Sequence, residues 1–105
     1  MKKNLLENIP SELSEELFET LFSSSNVQVK RIVSPPSTQT EWYVQENQEF
    51  VLVIQGSATI EYADGTQVHL CVNDSLQISS GVRHRVIQTS GKEMTVWLAV
   101  YYSDT

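Results

Sequence analysis

The stretch YVQENQEFVLVIQG, residues 43–56, decides the reading of this chain. From Glu49 onward it alternates between two faces, because successive side chains of a strand point to opposite sides. Phe50, Leu52 and Ile54 lie on one face, and Val51 and Val53 on the other. Glu49 shares the face of Val51 and Val53, so a carboxylate opens a strand at a position aimed toward the core. A three-residue loop, Glu46-Asn47-Gln48, is short enough to join this run to TEWYVQ as an antiparallel hairpin. In that register Gln45 lies across from Glu49, and Tyr43, two residues earlier, shares its side. Three polar or amphipathic groups are therefore expected to meet on one patch of the inner surface.

Outward from this run the chain continues as strand and turn. VQVKRIV is β-branched, and the SPPST that follows breaks it, since proline has no place in a central ladder. SATIEYA and TQVHLCV flank Asp64-Gly65, a strong short hairpin signal. In the second of these Val68, Leu70 and Val72 are expected to point inward, with Gln67, His69 and Cys71 outward. In GVRHRVIQ the two arginines, Arg83 and Arg85, share a parity that suits solvent, which turns His84, Val86 and Gln88 inward. RHRVIQTS and MTVWLAVYY are split at Gly91-Lys92. Short strands at regular spacing with tight turns predict an all-β antiparallel sandwich or barrel.

One helix is expected before the strands. Ser14 can cap it, Glu15 and Glu16 suit its positive end, and Leu17, Phe18, Leu21 and Phe22 form an apolar stripe. The organisation read from this pattern is an N-terminal helical appendage over 1–26 and a single β-barrel domain over 27–105.

Composition narrows the partners. The 105 residues are 40% hydrophobic and 19% charged, which describes one globular domain. A formal net charge of −6 argues against nucleic acid, whose affinity rests largely on Lys and Arg. No run approaches the ~20 apolar residues of a membrane-spanning helix, and MKKNLLENIP lacks the apolar stretch of a secretion signal. A lone Cys71 forms no internal disulfide and suits a reducing compartment, so a cytoplasmic protein is expected.

At this point the spacing resembles that of the cupins, small antiparallel jelly-roll barrels with two signature motifs. The first, G-xxxxx-H-x-H-xxx-E-xxxxxx-G, starts here at Ser37, passes Tyr43 and Gln45 at its histidine positions, and then meets Glu49 and Gly56. The second, G-xxxxx-P-x-G-xx-H-xxx-N, falls on Asn73, Ser79, Gly81, His84 and Gln88. The resemblance covers roughly 27–102 and implies a jelly-roll barrel with one divalent ion at the point surrounded by Tyr43, Gln45, Glu49 and His84. Two of the family's imidazoles are replaced, so any Mn, Fe, Ni or Zn ion is expected to be weakly bound.

The alternatives for these residues stay open at this level. Glu49 and His84 suit a metal-free hydrogen-bonded pair in the barrel mouth as well as they suit a metal. Three functions follow from the resemblance: a cupin binding a metal or a small molecule, a metal-dependent oxygenase or isomerase on a small polar substrate, or a non-catalytic interaction domain with a vestigial pocket. Trp42 and Val44, with the parity opposite to Gln45, would be exposed unless covered, so a homodimer is expected.

Overall fold

Two antiparallel sheets face each other across the core of the computed structural model, which describes residues 2–103. The strands are β1 (Leu17–Ser23), β2 (Val27–Ser34), β3 (Gln48–Gln55), β4 (Ala58–Tyr62), β5 (Gln67–Leu70), β6 (Ser75–Ile78), β7 (His84–Thr89) and β8 (Thr95–Tyr102). The larger sheet has the order β1-β2-β8-β3-β6 and the smaller β5-β4-β7. Val51, Val53, Ile32, Trp97 and Ala99 from the larger sheet pack with Ala58, Ile60, Leu70 and Val86 from the smaller. The alternation read from residues 49–53 holds: Glu49, Val51 and Val53 are buried, while Phe50 is exposed and Leu52 is half-buried. Asp64-Gly65 turns β4 into β5, with Tyr62 and Thr66 hydrogen-bonded across the turn.

The expected N-terminal helix is not formed; among the described residues there is none, and 17–23 is strand β1 at the edge of the larger sheet. The segment LFETLFS alternates as well as it winds, and one turn or two of helix is marginal without docking. Pairing with β2 decides the matter. Phe18 falls opposite Ile32 and Glu19 opposite Arg31, where the carboxylate accepts a 2.6 Å bond from the Arg31 Nε. The rest of the Arg31 guanidinium donates to the backbone carbonyls of Leu5, Glu7 and Asn8. Arg31 is only 3% exposed, so the N-terminal segment is fastened to the sheet rather than appended to it as a helix.

Three bulges correct the simple parity. An extra residue sits at Leu21 in β1, at Ile54 in β3 and at Ile87 in β7. Each turns over the side chains beyond it. The Ile87 bulge explains why Gln88, expected inward with His84 and Val86, is exposed while Thr89 is fully buried. Val72, also expected inward, lies beyond the end of β5 in a turn and is exposed.

The hairpin expected between TEWYVQ and β3 is absent as well. Residues 40–45 run instead along β7: Tyr43 and His84 exchange both backbone bonds, and Gln45 O accepts from Gly81 N. On its outward side Trp42 carries both arginines, with the Arg85 guanidinium carbon 4.3 Å and that of Arg83 5.0 Å from the ring centroid. The chain's own cations thus cover Trp42, while Val44 stays 64% exposed.

Candidate functional site

The space between the sheets opens into a cavity of about 130 Å³ on the inner face. The structure brings all four sequence-derived site residues to it, but by a route the sequence did not show. Glu49 enters from the first turn of pairing in β3, and His84 from the start of β7 in the opposite sheet. Gln45 and Tyr43 arrive on the segment that runs along β7.

Glu49 and His84 are 7% and 5% exposed, and His84 Nε2 stands 3.7 Å from Glu49 Oε1. Gln45 Nε2 donates to the same carboxylate oxygen, and Tyr101 lines the cavity close to it. Burial pushes the Glu49 carboxyl above its ordinary range, and the bonds from Gln45, the nearby His84 and Tyr101 pull in the other direction. His84 Nδ1 lies 3.0 Å from the Val82 carbonyl oxygen. A carbonyl only accepts, so Nδ1 carries hydrogen, and in the neutral ring Nε2 then bears a lone pair directed at the cavity. Burial and the carboxylates Glu49 and Glu16 drive the Tyr101 hydroxyl well above the usual phenol range.

Two lining residues were not foreseen as part of the site. Glu16 reaches the cavity from the residue before β1, where its carboxylate accepts a 2.6 Å bond from Ser34 Oγ. Ser34 in turn accepts from the Trp97 indole nitrogen at 3.0 Å. Burial raises the Glu16 carboxyl, and the Ser34 bond opposes the rise. Tyr101 follows Trp97 and Ala99 on the inward parity of β8. The available signal for both was period-2 alternation: Glu16 and Phe18 share a face once this segment is read as strand, as do Trp97 and Tyr101.

The donor set does not fit a resident metal ion. Among the described residues no three His, Cys, Asp or Glu side chains are arranged to hold one. Glu49 and His84 supply one carboxylate and one imidazole nitrogen. Gln45, its nitrogen on Glu49, could add only a neutral amide oxygen, a weak ligand, and Tyr43, 41% exposed, offers a phenol whose pKa burial and the nearby Glu16 raise further from the phenolate that would ligate. The polar groups are instead satisfied among themselves, with no buried side-chain nitrogen or oxygen lacking a partner among the described residues.

The raised Glu49 carboxyl has a consequence for stability. A carboxyl that holds its proton more tightly folded than unfolded favours folding below its ordinary value of 4.5, and this contribution is lost as pH rises through the raised folded value. Glu49→Gln is therefore expected to gain stability relative to the wild type on going from pH 4.5 to neutrality. Urea midpoints of the two proteins across that range measure it; a constant difference would show that Glu49 does not titrate abnormally.

Comparison with known proteins places this geometry in context. The family model described as Cupin domain matches residues 30–101. A protein from Ralstonia eutropha JMP134, provisionally described as a mannose-6-phosphate isomerase, is similar at 33% identity, with 98% of each chain covered and a TM-score of 0.92. A cupin superfamily protein from Desulfitobacterium hafniense DCB-2 is similar in fold at 19% identity, covering 91% of this chain and 84% of that one, with a TM-score of 0.78. A Klebsiella pneumoniae protein with a double-stranded β-helix domain matches at 20% identity over 96% and 88% of the two chains, with a TM-score of 0.81. No curated protein matches the chain significantly.

Proposed function

This chain belongs to the cupin domain family, and from that premise we propose that it binds a small organic molecule in the barrel cavity without a resident metal ion. Glu49 and His84 form the polar centre of the site, steadied by Gln45 and Tyr101, with Tyr43 at the rim. The observation that carries this reading is the orientation of His84. Its Nδ1 is committed to the Val82 carbonyl, so Nε2 is turned toward the cavity, 3.7 Å from Glu49 Oε1. Apolar walls with a few convergent polar groups are what a small-molecule site requires.

The provisional sugar-phosphate assignment of the Ralstonia protein transfers poorly to this cavity. Its ionisable lining consists of Glu16, Glu49, His84 and two tyrosines, with no lysine or arginine among the described residues. A phosphate dianion placed there would face two carboxylates across a low-dielectric gap. Arg31 is engaged by Glu19 and three carbonyls, and Arg83 and Arg85 lie on Trp42.

The test is elemental analysis of untreated protein, and of protein incubated with Mn, Fe, Ni and Zn salts and then desalted. Far less than one ion per chain is expected in every sample. A value near one ion per chain that Glu49→Ala abolishes would refute the metal-free reading and restore the ligand set that the family motif implies.

A further inference from the structure

The cavity combines features that restrict its ligand beyond size. Two carboxylates, Glu16 and Glu49, enter it from opposite ends of the larger sheet, β1 at one edge and β3 toward the other. Four aromatic rings also line it: Phe18, Tyr43, Trp97 and Tyr101. In its neutral form the imidazole, with its hydrogen on Nδ1, turns Nε2 toward the cavity as a third acceptor, 3.7 Å from Glu49 Oε1. Two of the nearby donors are already used, Gln45 on Glu49 and Ser34 on Glu16. An occupant therefore meets acceptors, negative charge and the electron-rich faces of aromatic rings, an environment that favours a cation carrying N–H groups. The same inward parity already shows the pairing beyond the cavity lining, where Lys30, opposite Ala99, holds its Nζ 5.6 Å from the centre of the Tyr101 ring.

We propose that the cavity selects a small organic ammonium compound, with Glu16, Glu49 and His84 Nε2 accepting its N–H groups and the aromatic rings packing its hydrocarbon part. This rests on the small-molecule reading above and names the ligand class for that site. A bare metal ion is a poorer occupant, because it would leave the aromatic walls empty and find too few strong ligands. Carboxylates and phosphates meet like charge.

Occupancy by an ammonium group also moves protons. The cation favours the ionised forms of Glu16 and Glu49, whose pKa values burial raises above the ordinary carboxylate range. The other ionisable groups in range are His84 beside Glu49, and Tyr43, Tyr62 and Tyr101, whose phenols feel the same carboxylates and stay protonated. Binding therefore releases protons, and affinity rises with pH from the acid side toward neutrality.

The experiment compares cyclohexylammonium, cyclohexanol and cyclohexanecarboxylate, three probes of similar size, by calorimetry and by NMR of the His84 imidazole. Cyclohexylammonium is expected to bind at least about tenfold more tightly than cyclohexanol. Calorimetry in two buffers of different ionisation enthalpy is expected to show proton release on binding to the wild-type protein. Glu16→Gln, nearly isosteric and still able to accept from Ser34, is expected to reduce the preference for the ammonium probe. If cyclohexanol or the carboxylate shifts His84 and binds as tightly as the ammonium, the ligand class is wrong and the cavity reading stands. If none of the three perturbs His84, both are wrong. Tight ammonium binding without proton release, and without any effect of Glu16→Gln, would place the cation outside this cavity and overturn the proposal.

Discussion

Gly56→Ala is expected to lose about 3–5 kcal/mol of stability, among the larger effects available from one methyl group. Gly56 forms the corner where the chain leaves the larger sheet after β3 and enters the smaller sheet as β4, and its φ is 86°. A side chain there is strained whatever space surrounds it. Space is also lacking: an added Cβ would lie 2.5 Å from Thr95 Oγ1 and 2.9 Å from the Thr95 Cα. The threonine has little freedom to retreat, because its hydroxyl donates to the Ser57 carbonyl at 3.1 Å and the residue is fully buried at the start of β8. Gly65→Ala is the control. Its φ is 92° but nothing lies within 4 Å of the added carbon, so it should cost only about 1–2 kcal/mol. Equilibrium urea unfolding of both variants gives the comparison. Equal losses would mean that the contact with Thr95 relaxes freely and that backbone conformation accounts for the whole effect.

Arg31→Met is expected to cost about 3 kcal/mol, because it removes the cation while leaving its acceptors in place. The guanidinium joins Glu19 on β1 to the carbonyls of Leu5, Glu7 and Asn8, so its loss leaves backbone acceptors without their donor and Glu19 without its partner. Methionine replaces much of the hydrocarbon stem, which confines the loss to polar terms. Glu19→Gln should cost well under half as much, since that carboxylate is one-third exposed and water can compensate it. Limited proteolysis would separate the two effects spatially. Arg31→Met should expose residues 5–8 to cleavage while strands β2–β8 resist, and uniform susceptibility would show that the residue holds the whole sheet rather than the N-terminal segment.

The two variants also mark what sequence patterning conveys about this fold. Residues 49–53 were legible because a strand between two layers has a strict period of two and because both of its faces are filled by one side chain at a time. Glu49 and His84 followed from that period, and the structure brings them 3.7 Å apart across the sheets. The N-terminal strand was not legible. LFETLFS fits an amphipathic helix and an edge strand equally well, and what decides between them is Arg31, fourteen residues after Leu17 and opposite Glu19 only in the strand register. Glu16 was lost to the site for the same reason, since a residue read as the first turn of a helix has no reason to look into a barrel. Gln88 and Thr89 exchanged places through one extra residue at Ile87, and a bulge leaves little trace in composition. Gln45 reached Glu49 from the opposite sheet rather than from a hairpin, a rearrangement that preserves the parity of the residues while changing their partners.

The hydroxyl of Ser34, held between the Trp97 indole and the Glu16 carboxylate, gives the molecule an optical handle. Of its two tryptophans, Trp97 is buried and linked through two hydrogen bonds, by way of Ser34, to a carboxyl group at the cavity wall, while Trp42 lies outside under two guanidinium groups. Emission from the inner indole is expected to follow the charge on Glu16, with the outer one, under the surface arginines, as a reference within the same polypeptide. A ligand of the kind proposed, by changing that charge, should then be detectable in unlabelled protein, from light alone.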